Sequence, residues 1–410
     1  MKKQKPYVLM IATRDTKQLE AAYLRQVLEA RGVNVIHLDA SIRGEDASPA
    51  EINPTKIAAA AGRTMDEIRA LNHEGKCLSI MAEGAIHCAR EVDQKVGLAG
   101  IIGMGGSMGT TLSTAVMRTF RYGLPKVMIS TLASGFTKPF VGSNDIMMVN
   151  PVCDISGFNS ISQAAYRNGA IAIAAQAREY RAVIAENRPL VTMTTLSTTD
   201  PCTVRVRCAL EALGYEVMVF HTLGSGGIAM EEIIRQRDTC VVVDVSLLEV
   251  NDFLHNGLCS AGADRCKAAL RKGIPTIFAP GNADFISTGP IAEARHLFPG
   301  KRCHMHNTAL TAVRTERREL LALAEHMTRL IADATGPVSF FIPLRGFSEH
   351  DSPRGHLHDP SLPPVFAAHL QSLRPSNLDL REFDFHINDH QFADTIVEQV
   401  VKYTKLCNTG

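Results

Sequence analysis

The sequence has little that would commit it to a membrane, an oxidising compartment or a polyanionic partner. No apolar stretch reaches the roughly 20 residues that a membrane-spanning helix requires, and the opening MKKQKPYVLM carries no secretory signal. Ten cysteines stand at 77, 88, 153, 202, 208, 240, 259, 266, 303 and 407, with no CxxC pair among them. Lys and Arg number 43 against 42 Asp and Glu, a net charge of +1, so there is no excess positive field to neutralise a nucleic-acid backbone. These absences predict a reduced, cytoplasmic protein with no membrane span and no nucleic-acid partner. Two further absences concern chemistry: no glycine loop ends in the Gly-Lys-Ser/Thr of a Walker motif, and no HExxH is present.

At 410 residues, 45% of them apolar, the chain exceeds the size at which one core keeps growing, and two domains are expected. One plan is used twice. YVLMIATRDTKQLEAAYLRQVLEARGVNVIHLDA reads as strand, polar turn, amphipathic helix and second strand, and the pattern returns in PLVTMTTLSTTDPCTVRVRCALEALGYEVMVFHT. Leu28–Gly32 falls on Leu210–Gly214 at an offset of 182, which also places Thr13 on Thr195 and Thr16 on Thr198. A second echo, Tyr122–Thr131 on Lys272–Gly281, runs at an offset of 150, so the first copy holds 32 additional residues. The Ala/Glu/Arg-rich stretch from Glu45 to Lys76 accounts for them. Alternation of strands with helices predicts an α/β protein: two Rossmann-like, doubly wound domains with mainly parallel sheets, residues 1–186 and 187–410, related by internal duplication.

In such sheets ligands sit beyond the carboxyl ends of the strands. The segment GMGGSMGTT, Gly103 to Thr111, lies between an apolar strand and a helix, and its unpaired backbone N–H groups suit a phosphate. With no lysine, the anion would rest on those amides and on the hydroxyls of Ser107, Thr110 and Thr111; the alternative is that the glycines serve close backbone packing. In TRDTK, Asp15 can accept from a ribose or amine or cap a helix, and Lys17 can reach a phosphate. GSGG, Gly224 to Gly227, is a second glycine-rich helix start that either binds an anion or repeats the geometry of the fold.

The second half concentrates histidine. His304 and His306, two apart, would share one face of a strand; EFDFHINDHQFAD adds His386, Asn388, Asp389 and His390, and FAPGNADFIS adds Asp284 at a strand end. Their convergence would supply acid/base chemistry, or a metal site with an open position; the alternative is structural histidines. The segment FFIPLRGFSEHDSPRGHLHDP adds Arg345, Ser348, Asp351 and Arg354, suited either to an anionic ligand or to internal Arg–Asp pairing.

TRDTK, GMGGSMGTTLSTAVMRTFRYGLPKVMISTLASG, APGNADF, HMHN, IPLRGFSEHD and FDFHINDHQFAD resemble, in order and spacing along nearly the whole chain, a largely uncharacterised ATP-binding family. That family also supplies the N-terminal, virus-inhibiting region of the tomato mosaic virus resistance protein. The resemblance implies two Rossmann-like subdomains, ATP binding and a homodimer; the cofactor expected is ATP, with or without a divalent metal. Carried onto this chain, it puts the nucleotide contacts on Thr13, Asp15, Thr16 and Lys17 and on Gly105, Gly106, Ser107, Gly109 and Thr110. The chain departs from the family pattern at Arg14 and Met108, and the plant protein's further barrel domain has no counterpart here. The resulting expectation is an ATP-binding protein, an enzyme acting on a small acidic metabolite in an interdomain cleft through His304, His306, His386 and Asp284. Its rivals are a nucleotide-regulated binding protein without turnover and a metal-dependent lyase or hydrolase.

Overall fold

The computed structural model describes residues 5–43, 48–182 and 188–407. The chain divides into two compact units, residues 1–184 and 185–410. The boundary expected between residues 186 and 187 lies outside the described residues.

The N-terminal unit is a five-stranded, all-parallel sheet in the order β2-β1-β3-β4-β5: β1 (Tyr7–Ile11), β2 (Asn34–Leu38), β3 (Leu98–Gly105), β4 (Lys126–Ser130) and β5 (Met147–Val149). Helices α1 (Arg14–Ala30), α2 (Pro54–Ala60), α3 (Met65–Ala70), α4 (Glu74–Val96), α5 (Ser107–Met117), α6 (Lys138–Val141) and α7 (Ser160–Glu179) complete it. β3 is buried along its whole length, as a strand covered on both faces must be, and its run LAGIIGMG is correspondingly apolar. One core, with Leu9, Ile101, Met81 and Leu112, fills one side of the sheet, and a second, with Met10, Ile102, Tyr166 and Ile173, fills the other.

The C-terminal unit repeats the topology. β6 (Leu190–Thr195), β7 (Glu216–His221), β8 (Thr239–Ser246), β9 (Thr276–Gly281), β13 (Val338–Pro343) and β14 (Leu378–Phe383) form a parallel sheet in the order β7-β6-β8-β9-β13-β14. Between β9 and β13 a three-stranded antiparallel sheet is inserted, from β10 (Phe285–Thr288), β11 (Cys303–Met305) and β12 (Thr311–Arg314). The helices are α8 (Asp200–Ala212), α9 (Ser225–Gln236), α10 (Leu248–His255), α11 (Lys267–Lys272), α12 (Ile291–Leu297), α13 (Arg317–Ala332), α14 (Leu362–Ser372) and α15 (His390–Cys407). No helix among the described residues is long and apolar enough to cross a membrane.

Counted from each unit's own first strand, both sheets begin in the order 2-1-3-4. The extra length of the first copy falls between its second and third strands, where α2, α3 and α4 replace the single α9 of the second. A helix-bearing insertion there leaves the parallel ladder intact, because consecutive parallel strands are joined by a crossover in any case.

Candidate functional site

In an open parallel sheet the connections from two neighbouring strands leave in opposite directions where the strand order reverses, and the gap between them is a natural binding crevice. In the N-terminal unit that point lies between β1 and β3, whose carboxyl ends carry TRDTK and the glycine-rich segment. A cavity of about 870 Å³ opens there. Its lining brings together Thr13, Asp15, Thr16 and Lys17 with Gly105, Gly106, Ser107, Met108 and Gly109.

Neither segment is the open loop that the sequence suggests. TRDTK forms a short turn at the start of α1 that ends in a kink at Lys17 (φ −134°, ψ 31°), and Gly103–Gly105 complete β3 while Ser107 already opens α5, leaving Gly106 as the sole junction residue. Close packing accounts for this at two glycines. A Cβ on Gly103 would lie 2.6 Å from Ser113 Cβ, and one on Gly105 would lie 2.8 Å from Gly109 Cα, so α5 could not seat so tightly on β3. Gly106 is different. With φ −75° and ψ −157° it sits in ordinary extended backbone, and an added Cβ would meet only Thr131 Oγ1, at 3.8 Å.

The two helix starts at the cavity are not equivalent. The first amides of α1 are already used: Arg14 N donates to Asp39 Oδ1 (3.0 Å) and Ser41 Oγ (2.8 Å), and Asp15 N to Ser41 Oγ (3.0 Å). The N-terminus of α5 has no side-chain cap. Its first-turn N–H groups and the positive end of its dipole therefore face the cavity without an acceptor among the described residues. Thr110 does not line the cavity. It is fully buried, and its hydroxyl bonds Ser130 Oγ at 2.7 Å, tying α5 to the end of β4. Thr111 likewise donates back to Ser107 O at 2.8 Å. The anion-holding role expected of these two hydroxyls is thus taken up by local hydrogen bonding.

Opposite the glycines the wall comes from residues that the sequence reading did not single out: Ile42 and Arg43 after β2, then Arg69, Asn72, His73, Glu74, Cys77 and Leu78 around the α3–α4 turn. Arg43 pairs with Glu74 and also donates its backbone N–H to Asp15 Oδ2 at 3.1 Å. The Lys17 ammonium has no partner among the described residues.

GSGG shows what an occupied helix start looks like. Gly224 N and Gly227 N both donate to Glu249 Oε1, at 2.7 and 2.9 Å, and Glu249 Oε2 accepts from Arg265 Nε at 2.8 Å. Arg265 in turn forks onto Asp244 at 2.6 and 2.9 Å. The C-terminal unit carries its own anion here, built into the chain and buried.

The histidines fall into two groups. His304 on β11 stacks on His356 with ring centroids 4.5 Å apart and lies 4.6 Å from His350. Burial, reinforced by the neighbouring imidazoles, pushes His350 down to about 4. His306 follows the end of β11 and belongs with these rings, adding to the fields at both His304 and His350. His386 belongs to the other group: its Nε2 meets Ser348 O at 3.0 Å, and Ser348 Oγ donates to Asp284 Oδ2 at 2.7 Å. Asp284 is fully buried beside Arg314, whose guanidinium also reaches Asp351 at 3.2 Å. Burial raises both carboxyls, Asp351 to about 7, with the Asp284 charge adding to its shift. Among the described residues Asp284 Oδ1 and Arg314 Nε are buried without a hydrogen-bond partner, and Arg314 Nη2 has only its ion pair with Asp351. Sequence reasoning missed His350 and His356 because only the fold brings residues 303–306 against 350–356. Among the described residues no group of three or more His, Cys, Asp or Glu is arranged to hold a metal ion.

Family models for the uncharacterised protein family UPF0261 match both units, the N-terminal domain over residues 6–182 and the C-terminal domain over residues 188–404. A UPF0261 protein of Clostridium tetani is 31% identical over 398 residues, covering 96% of this chain and 98% of that protein. One from Mesorhizobium japonicum is 33% identical, over 95% of this chain and 97% of its own. The tomato ToMV resistance protein Tm-1(GCR237) is 29% identical over 97% of this chain, which spans 56% of the tomato protein. This chain belongs to the UPF0261 family, whose two domains correspond to its two units.

Proposed function

We propose that the N-terminal unit binds a nucleotide, ATP in the first instance, with its phosphates at the start of α5. The observation that carries this reading is the contrast between helix starts. Those of α1 and α9 are closed by internal acceptors, whereas α5, at the mouth of an 870 Å³ cavity, has no side-chain cap among the described residues, and Lys17 in the same cavity has no partner among them. Backbone amides, a dipole and an ammonium are the chemistry that phosphate recognition needs. The cavity size fits a nucleotide-sized ligand. Asp15 and Glu74 also line the cavity but are both engaged by Arg43, so a divalent cation accompanying the nucleotide would take its oxygen ligands first from the phosphates.

A thermal-shift titration tests this directly. ATP at 100 times its dissociation constant adds about 2.7 kcal/mol of stability, so the melting temperature rises with ATP concentration. A melting temperature that does not move with any nucleotide, with or without Mg²⁺, removes the proposal.

The C-terminal unit supports a second, catalytic reading. Two carboxyl groups that share one buried guanidinium, one of them titrating near 7, are suited to moving a proton on an acidic metabolite. Stabilisation of the protein by small carboxylic acids in the same titration, lost in His386→Gln, is the result expected of that reading.

A further inference from the structure

The N-terminal cavity has two unlike walls. One is the phosphate wall of α5 and Lys17. The other is supplied by the α3–α4 turn, part of the Glu45–Lys76 insertion that the second copy of the fold lacks. Asn72 makes that turn in the left-handed region, φ 44°, which asparagine tolerates better than most residues. His73 follows as the N-cap of α4, with its Nδ1 accepting from Lys76 N at 3.3 Å.

This bond fixes the tautomer. A ring nitrogen that accepts from a backbone amide carries no proton, so in the neutral imidazole the proton is on Nε2. The exposed His73 ring lines the cavity and so offers an N–H donor that has no partner among the described residues. Beside it, Ile42, Cys77, Leu78 and Leu112 provide an apolar floor between the walls. Gly75 lies against the ring, since a Cβ there would meet His73 Cε1 at 3.4 Å, in ordinary van der Waals contact.

We infer that the insertion builds a subsite for the uncharged end of a phosphorylated ligand, in which His73 Nε2–H donates to a nucleoside acceptor and determines specificity. This rests on the nucleotide reading above: α5 takes the phosphates, the apolar floor takes the base or ribose face, and His73 reads an oxygen or nitrogen on it. The site then discriminates a nucleoside triphosphate from bare tripolyphosphate, which α5 and Lys17 alone could not do.

The test is calorimetric titration of the full chain with ATP and, separately, with tripolyphosphate. The variant is His73→Asn, because asparagine keeps an N-cap acceptor for Lys76 N while its shorter side chain removes the distal donor; an unchanged melting temperature checks that α4 is intact. The expected result is about tenfold weaker ATP binding with tripolyphosphate binding unchanged, the effect of one lost hydrogen bond. His73→Gln, whose longer amide can again donate, recovers part of the loss. Unchanged ATP affinity in His73→Asn overturns the inference and leaves the nucleotide reading standing, as does an equal loss for both ligands. If the unaltered protein binds neither ligand, the nucleotide reading itself fails.

Discussion

Individual residues decide which helix starts are open. Glu249 closes α9 and Asp39 closes α1, each by placing a carboxylate on backbone amides, and α5 has no such residue among those described. This difference was not legible in the sequence, because Glu249 lies 25 residues from Gly224 and nothing local links them. Asp351 is a residue-scale case with a measurable consequence. Its carboxyl is pushed up to about 7 by burial, with the Asp284 charge acting the same way and Arg314 opposing. The folded protein therefore holds a proton that the unfolded chain releases near pH 4, and by linkage stability falls as pH rises from about 4 to 7. Asp351→Asn cannot titrate there. Urea unfolding of both proteins across that range should show the unaltered protein losing stability relative to the variant as pH rises; parallel curves would show that Asp351 is not protonated when folded.

Elements carry the insertion that forms the far wall of the cavity. Its existence was legible, because two echoes at different offsets leave 32 residues over in the first copy. Its contribution of Arg69, Asn72, His73 and Glu74 to the cavity was not, since a helical hairpin's direction of return depends on packing. The packing in question is α2 on α4. An added Cβ at Gly84 of α4 would sit 2.0 Å from Ile57 O and 2.9 Å from Ile57 C, both backbone atoms of α2. Gly84→Ala gains up to about 1 kcal/mol in helix propensity, yet α2 must move to admit the methyl, and overpacking costs about 1–3 kcal/mol. The expected outcome is net destabilisation, read as a lower melting temperature, with weakened ATP binding because the wall shifts. A higher melting temperature would contradict this packing. The glycine-rich segment taught the opposite lesson. Its composition pointed to an open loop, whereas Gly103 and Gly105 are there for contact between β3 and α5, and only Gly106 stands free of such contacts.

At the scale of the whole molecule, the duplication was the most legible feature. Repeating hydrophobic pattern and matching helix ends at Ala30 and Ala212 are local properties, and the fourth strands of the two sheets, at Lys126 and Thr276, keep the offset of 150. What the pattern could not reveal is how far the copies have diverged in chemistry. Where β3 runs into Gly106 and an uncapped helix, β8 runs into Leu247 and α10, whose Glu249 is spent inside the fold. The histidines diverge similarly: His304, carried on β11 of the inserted antiparallel sheet, joins His306, His350 and His356, while His386 is linked to Asp284 through Ser348.

The central claim is that two units of one topology provide a single nucleotide site, at Gly106. Calorimetric titration of ATP into the unaltered protein and into Gly106→Val measures it most directly. Valine suits the extended backbone of Gly106, and its side chain enters space left open by the protein, so the variant folds at a cost of about 1 kcal/mol for a poorer cap. The account predicts about one ATP per chain for the unaltered protein and no measurable binding to the folded variant. Two ATP per chain, or unchanged binding to Gly106→Val, would contradict it.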